Sequence, residues 1–148
     1  VRRVLSLFLL VLAAGLPAIA QNNSGLLARA RALQSRISTT VQKYTFEDTQ
    51  TGTIYWEKII HEKDYAARQS LRTQRESARD AIEKKYDSEL KAELRDLTAL
   101  QPMPTGRQAA LDRETFTAAA ASSDRRTILN AAHLAQVYLA NLIEKLGQ

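Results

Sequence analysis

The chain has 148 residues, 21 Lys and Arg against 16 Asp and Glu, a formal net charge of +5, and no cysteine. The missing cysteine excludes a disulfide framework, thiolate metal sites, a cysteine nucleophile and a lipid-modified cysteine anchor. Five glycines and three prolines leave little turn chemistry, which points to an all-α fold of long helices. The balance is mildly basic and mixed in sign along the chain, which does not by itself call for nucleic acid, so no nucleic-acid partner is expected.

Residues 1–20 read as a bacterial secretory signal. Arg2 and Arg3 form the positive start, residues 4–14 the apolar segment, and Gly15 and Pro17 break the helix ahead of the small-x-small site Ala18-Ile19-Ala20. Cleavage between Ala20 and Gln21 would place residues 21–148 in the periplasm or outside the cell, with membrane contact only through the signal. Loss of Arg2 and Arg3 lowers the net charge from +5 to +3. The remainder is expected to form a single all-helical domain.

Asn22, Asn23 and Ser24 are capping residues ahead of Leu26, Ala30, Leu33, Ile37, Val41 and Tyr44, whose spacing keeps one apolar stripe on a helix over 24–43. Thr49-Gln50-Thr51-Gly52 then predicts a turn. The β-favouring runs on either side, Tyr44-Thr45-Phe46 and Thr53-Ile54-Tyr55-Trp56, would allow a short hairpin. An isolated hairpin is marginal in water, so a helix-to-helix turn with its aromatics packed inward is preferred. Tyr44, Phe46, Tyr55 and Trp56 are also candidates for an aromatic recognition tip, since aromatics anchor interfaces. Their commoner role is to close the end of a bundle.

A long helix is expected over 54–100, because residues 56–100 contain neither Gly nor Pro and are rich in helix formers. Ile59, Ile60 and Ala67 mark one apolar end; Ala78, Ile82, Tyr86, Leu90, Leu94 and Leu97 mark the other. Between them, residues 68–79 are polar except for Leu71 and Ala78. Such a helix bridges two packed ends, is held by charge pairs, or bends. Arg72–Glu76, Arg79–Glu83 and Asp80–Lys84 are i, i+4 pairs worth ~0.3 kcal/mol each.

Gln101-Pro102-Met103-Pro104-Thr105-Gly106 must reverse the chain. A third helix follows over 106–121, and Ser122-Ser123-Asp124 caps a fourth over 124–146. Ile128, Ala132, Ala135, Leu139, Leu142 and Leu146 repeat at 4, 3, 4, 3 and 4, a heptad seam that must be buried within the chain or against another copy. The expected architecture is an elongated helical hairpin, or an antiparallel three- to four-helix bundle, with coiled-coil character.

Two constellations carry possible chemistry. Arg68, Arg72, Arg75 and Arg79 fall on one helix face and would form an anion-binding or partner-binding stripe, because guanidinium forks match phosphate and carboxylate oxygens. The bland alternative is a solvated face paired with nearby carboxylates. Glu57, His61 and Asp64 at i, i+4 and i+7, joined by His133, would place metal-ligating groups together, although no H-E-x-x-H motif is present. Nothing in the sequence resembles a nucleophile elbow or a phosphate loop, so neither catalysis nor a cofactor is expected.

The functional expectation is therefore an exported, non-catalytic envelope protein that acts through protein partners, as adaptor or structural subunit, with self-association possible. In organisation, though not in any motif, the chain resembles basic helical periplasmic chaperones with coiled-coil arms. It resembles equally the minor pilus subunits of type IV secretion systems. Those resemblances imply two alternatives, a holdase for unfolded envelope proteins and a minor subunit of a secretion or pilus apparatus.

Overall fold

A computed structural model describes residues 2–101 and 104–148, with side chains described from residue 23 onward. Within these residues the chain is all-helical, with no strand: α1 (Arg2–His61), α2 (Tyr65–Thr98), α3 (Arg107–Ala121) and α4 (Arg125–Leu146). The leader expected over residues 1–20 lies outside the residues whose side chains are described. Among the described residues no helix is long and apolar enough to cross a membrane.

The apolar stripe of α1 begins the core. Leu26, Ala30, Leu33, Ile37 and Val41 point inward to meet Leu90, Leu94 and Leu97 of α2 and the Ile128–Leu142 seam of α4, while Phe116 and Ala119 of α3 close the far side. α1 packs against α2 and α4, α2 also against α3 and α4, and α3 against α4. This is an antiparallel up-down-up-down bundle with α1 and α3 on a diagonal. Each fully buried Leu or Phe contributes ~1.5–3 kcal/mol, and Phe116 adds an edge-on contact with Tyr138, ring centroids 5.6 Å apart. The heptad seam of α4 is thus internal core.

The first turn is not where the sequence places it. Residues 44–56 are helical throughout, so neither the turn at Gly52 nor the hairpin forms, and the expected helices over 24–43 and 54–100 are replaced by α1 and α2. Gly52 costs the helix ~1 kcal/mol relative to Ala but keeps its backbone donor and acceptor in the ladder. The chain reverses instead at Glu62-Lys63-Asp64, without Gly or Pro. There the Asp64 carboxylate caps α2 by accepting from the Ala67 N–H at 2.7 Å. The Glu62 carboxylate accepts from the Asp64 N–H at 2.9 Å, and the Arg68 guanidinium donates to the Glu62 carbonyl at 2.6 and 3.2 Å. Charged side chains here do the work usually given to glycine.

α2 runs unbroken through the polar segment 68–79. The later elements match the spacing closely: α3 starts after Gly106, whose φ of 118° suits glycine alone, and α4 starts at its N-cap Asp124. That carboxylate accepts from the Arg126 and Thr127 N–H groups at 3.3 and 3.1 Å.

Two regions result. In the body, residues 23–44 and 86–146, four helices share one core. In the arm, residues 45–83, α1 and α2 continue as a two-helix hairpin about 25 Å long at ~1.5 Å per residue. Cross-links between α1 and α2 follow one antiparallel register, from Arg36–Asp96 at 2.8 Å and Thr40–Glu93 at 2.9 Å in the body to Arg79–Asp48 in the arm. Ile59 is the one fully buried hydrophobic residue among the described residues of the arm.

Candidate functional site

Where the arm leaves the body, a polar and aromatic belt replaces the core. Tyr86 packs edge-on against Tyr44 at 5.7 Å and its hydroxyl donates to Glu47 Oε1 at 2.5 Å. Lys85 Nζ donates to both Glu47 oxygens, at 3.2 and 3.3 Å. The Tyr86 hydrogen bond, with Lys85 assisting, holds the Glu47 carboxyl below the usual carboxylate range, while burial pushes the Tyr86 phenol up. Arg125, the first residue of α4, lies over the Tyr44 ring at 4.6 Å and pairs with Glu83. These contacts fix the start of α4 in the channel between α1 and α2.

Beyond Arg125 the channel continues but α4 does not. Ser38 of α1 accepts a hydrogen bond from Gln136 of α4 at 3.1 Å, which marks the face of α1 that α4 covers. Trp56 follows Ser38 by eighteen residues, five turns of helix, so it stands on that same face. In the arm this face is bare. A groove of about 420 Å³ opens there, lined by Asp48, Thr49, Gly52, Thr53 and Trp56 of α1 and by Arg75 and Arg79 of α2. A Cβ placed on Gly52 would meet nothing within 4 Å. At Arg79 the groove meets a second one, about 410 Å³, formed with Arg125, Arg126 and His133 at the head of α4.

The chemistry of the groove is mixed. Arg79 forms a bidentate pair with Asp48, Nε at 2.7 Å and Nη2 at 3.0 Å. The Nε of Arg75 is buried with no hydrogen-bond partner among the described residues. Along its outer edge, Phe46, Thr49, Thr53, Trp56 and Ile60 repeat at 3, 4, 3 and 4, a heptad-like stripe on one helix face. Phe46 is 65% exposed, Trp56 57% and Ile60 53%. The exposed aromatics and Ile at heptad spacing form one apolar stripe along the helix.

The sequence candidates are redistributed by this geometry. Arg68 is spent on the turn, Arg79 on Asp48, and Arg75 is half-buried, leaving Arg72 as the exposed member. Three of the four arginines are therefore directed toward the turn or the seam between the arm's helices, and Arg72 alone of the four faces outward. The aromatics do not gather at a tip: Tyr44 is buried in the belt, Tyr55 is half-buried beneath Lys58, and only Phe46 and Trp56 are exposed. The seam of Ile128, Ala132, Ala135, Leu139 and Leu142 is buried, and Leu146 packs against its edge. Asp64 is an N-cap, His61 ends α1, and His133 sits on α4 beside Gln136 at 3.3 Å. Among the described residues no group of three or more His, Cys, Asp or Glu side chains could hold a metal ion.

Sequence reasoning missed the stripe. Its signal was present in the 3-4 spacing, but two of its five members are threonines and a turn at Gly52 would have cut it in half. Comparison with known proteins adds no further constraint, since no family model, no curated protein and no solved structure matches the chain.

Proposed function

We propose that this protein works without catalysis, as an exported interaction module of the cell envelope whose arm docks a protein partner. The observation that supports the reading is the bare continuation of the α4 channel. The body completes its own helix packing, whereas the arm offers the same face, with Trp56 on it, to something outside. Fully desolvated Trp is a preferred anchor at interfaces, and the groove beside it has room for a helix side chain. Export rests on the pattern of residues 1–20 and is checked separately: the mature chain should begin at Gln21, and a retained leader in N-terminal sequencing overturns it.

A photoreactive phenylalanine analogue placed at Trp56 tests the docking reading in intact cells. A defined adduct from position 56, with none from the equally exposed Val137 on the body, is the expected result. Adducts from both positions, or from neither, overturn it.

The holdase alternative keeps one supporting observation, the exposure of Phe46, Trp56, Ile60 and Tyr65 on one hairpin. It requires that the protein slow aggregation of an unfolded outer-membrane protein and that Trp56→Asp abolish the effect. No slowing by the unaltered chain would dismiss it.

A further inference from the structure

We infer that the helix seated on the bare face of the arm is the same segment of a second copy, packed antiparallel with a two-fold axis beside Gly52 and Thr53. The inference rests on the proposed docking role of the arm and names its partner. Three observations carry it.

The first is that the stripe is self-complementary about its own centre. In an antiparallel pair centred at Thr53, Phe46 of one copy meets Ile60 of the other and Thr53 meets Thr53, while Trp56 falls opposite Gln50, one residue from Thr49, so large side chains meet at the ends and small ones at the middle. A two-fold interface demands this kind of self-matching, since one patch must serve as both surfaces. The second is the room at the centre. Gly52 has open space where a Cβ would stand, and with Thr49 and Thr53 it makes a shallow place for the partner's Trp56 in the groove already described. The third is charge: none of Phe46, Thr49, Thr53, Trp56 and Ile60 is ionisable, and of the charged groups that line the groove Asp48 and Arg79 are already paired with each other.

The extent of the contact sets its strength. Fifteen residues of helix on each side, about 21 Å at ~1.5 Å per residue, bury less than the ~1,600 Å² of a standard interface. The dimer is therefore of the weak, concentration-dependent class. The two bodies lie at opposite ends of the paired arms.

The chain is well suited to the test, having no cysteine and a single tryptophan. In the purified full chain, Thr53→Cys should cross-link to itself with a short bismaleimide. Phe46→Cys and Ile60→Cys should each fail alone and cross-link when mixed, because 46 and 60 face each other only in the antiparallel pair. Trp56 emission should shift to the blue as concentration passes through the Kd, together with a rise in mass by light scattering. Gly52→Leu should weaken association at least tenfold while the variant stays folded, since leucine fits the open space in the monomer and blocks the partner. Self-linking of Phe46→Cys would mean a parallel pair and overturn the arrangement. A chain that stays monomeric to several hundred micromolar overturns the second copy as partner; a position-56 adduct to another protein would then leave the docking reading standing, and no adduct would remove both. A blue shift of the monomer on vesicles of phosphatidylglycerol and phosphatidylethanolamine, without self-association, would assign the stripe to a membrane surface and overturn the inference.

Discussion

The body and the arm are built from the same two helices, yet they are held together by different physics. In the body, α1 and α2 are two sides of a four-helix core whose leucines are removed from water. In the arm the same helices run on with Ile59 as the sole fully buried hydrophobic residue among those described, joined by the Asp48–Arg79 pair, the half-buried Arg75 and the capped turn. Apolar burial is worth ~25 cal/mol per Å², whereas partly exposed ion pairs contribute ~1 kcal/mol or less. The arm is therefore a region that persists because the body extends its helices, and its face is left bare because none of the described residues covers it.

Mutations can break this contrast. Leu139→Ala, in the centre of the body, should lower global stability by ~2–5 kcal/mol in urea unfolding. Ile59→Ala, although equally a loss of a buried side chain, should lower the global midpoint by ~1 kcal/mol or less and act mainly on local opening. Equal losses from the two would abolish the distinction between regions. Asp64→Ala removes the cap of α2 at a local cost of ~1 kcal/mol, and its effect should appear as faster amide exchange in residues 55–70 with little change in residues 90–97 or 128–142.

Glu93 sharpens the contrast from the other side, as a carboxyl only 5% exposed inside the body. Burial pushes its pKa above the ordinary 4.5, with the hydrogen bond from Thr40 opposing the shift. Its Oε2 is buried without a hydrogen-bond partner among the described residues. The native state thus holds this proton more tightly than the unfolded chain, so stability falls as pH rises from about 4.5 through the raised native value. Glu93→Gln should flatten that slope and stabilise the body at neutral pH by about 1 kcal/mol. A steeper fall with pH in the variant would contradict the assignment. Smallest of all, Phe46→Ser and Ile60→Ser should change the stability of the dilute chain by no more than ~0.5 kcal/mol, because neither side chain is part of a core.

Much of the fold could be read from residue spacing. The stripe Leu26, Ala30, Leu33, Ile37, Val41 and Tyr44 and the seam Ile128–Leu142 are buried as their periods require, and Asp124 caps α4. The first reversal could not be read, because its physics is local and electrostatic. Asp64 looked like a metal ligand or a helix surface residue, and only its reach to the Ala67 N–H, with Arg68 holding the Glu62 carbonyl, makes it a turn. Gly52 misled in the opposite sense: glycine is a common place to end a helix, but in the arm its lack of a side chain leaves room in a groove. The arginines were legible as a face but not as an inward one, since the acceptors of Arg68 and Arg79 lie across the reversal that the spacing did not show.

The uninterrupted passage of α1 and α2 from body to arm has a mechanical consequence. The described helical residues contain no proline in either helix between residues 23 and 98, and neither helix breaks at the belt of Tyr44, Tyr86 and Arg125. A load applied near Trp56 therefore cannot be absorbed by a hinge. It acts as torque on two stiff rods, with the belt as fulcrum and the leucine faces of α1 and α2 on its far side, so that a force on the arm also strains the packing of α4.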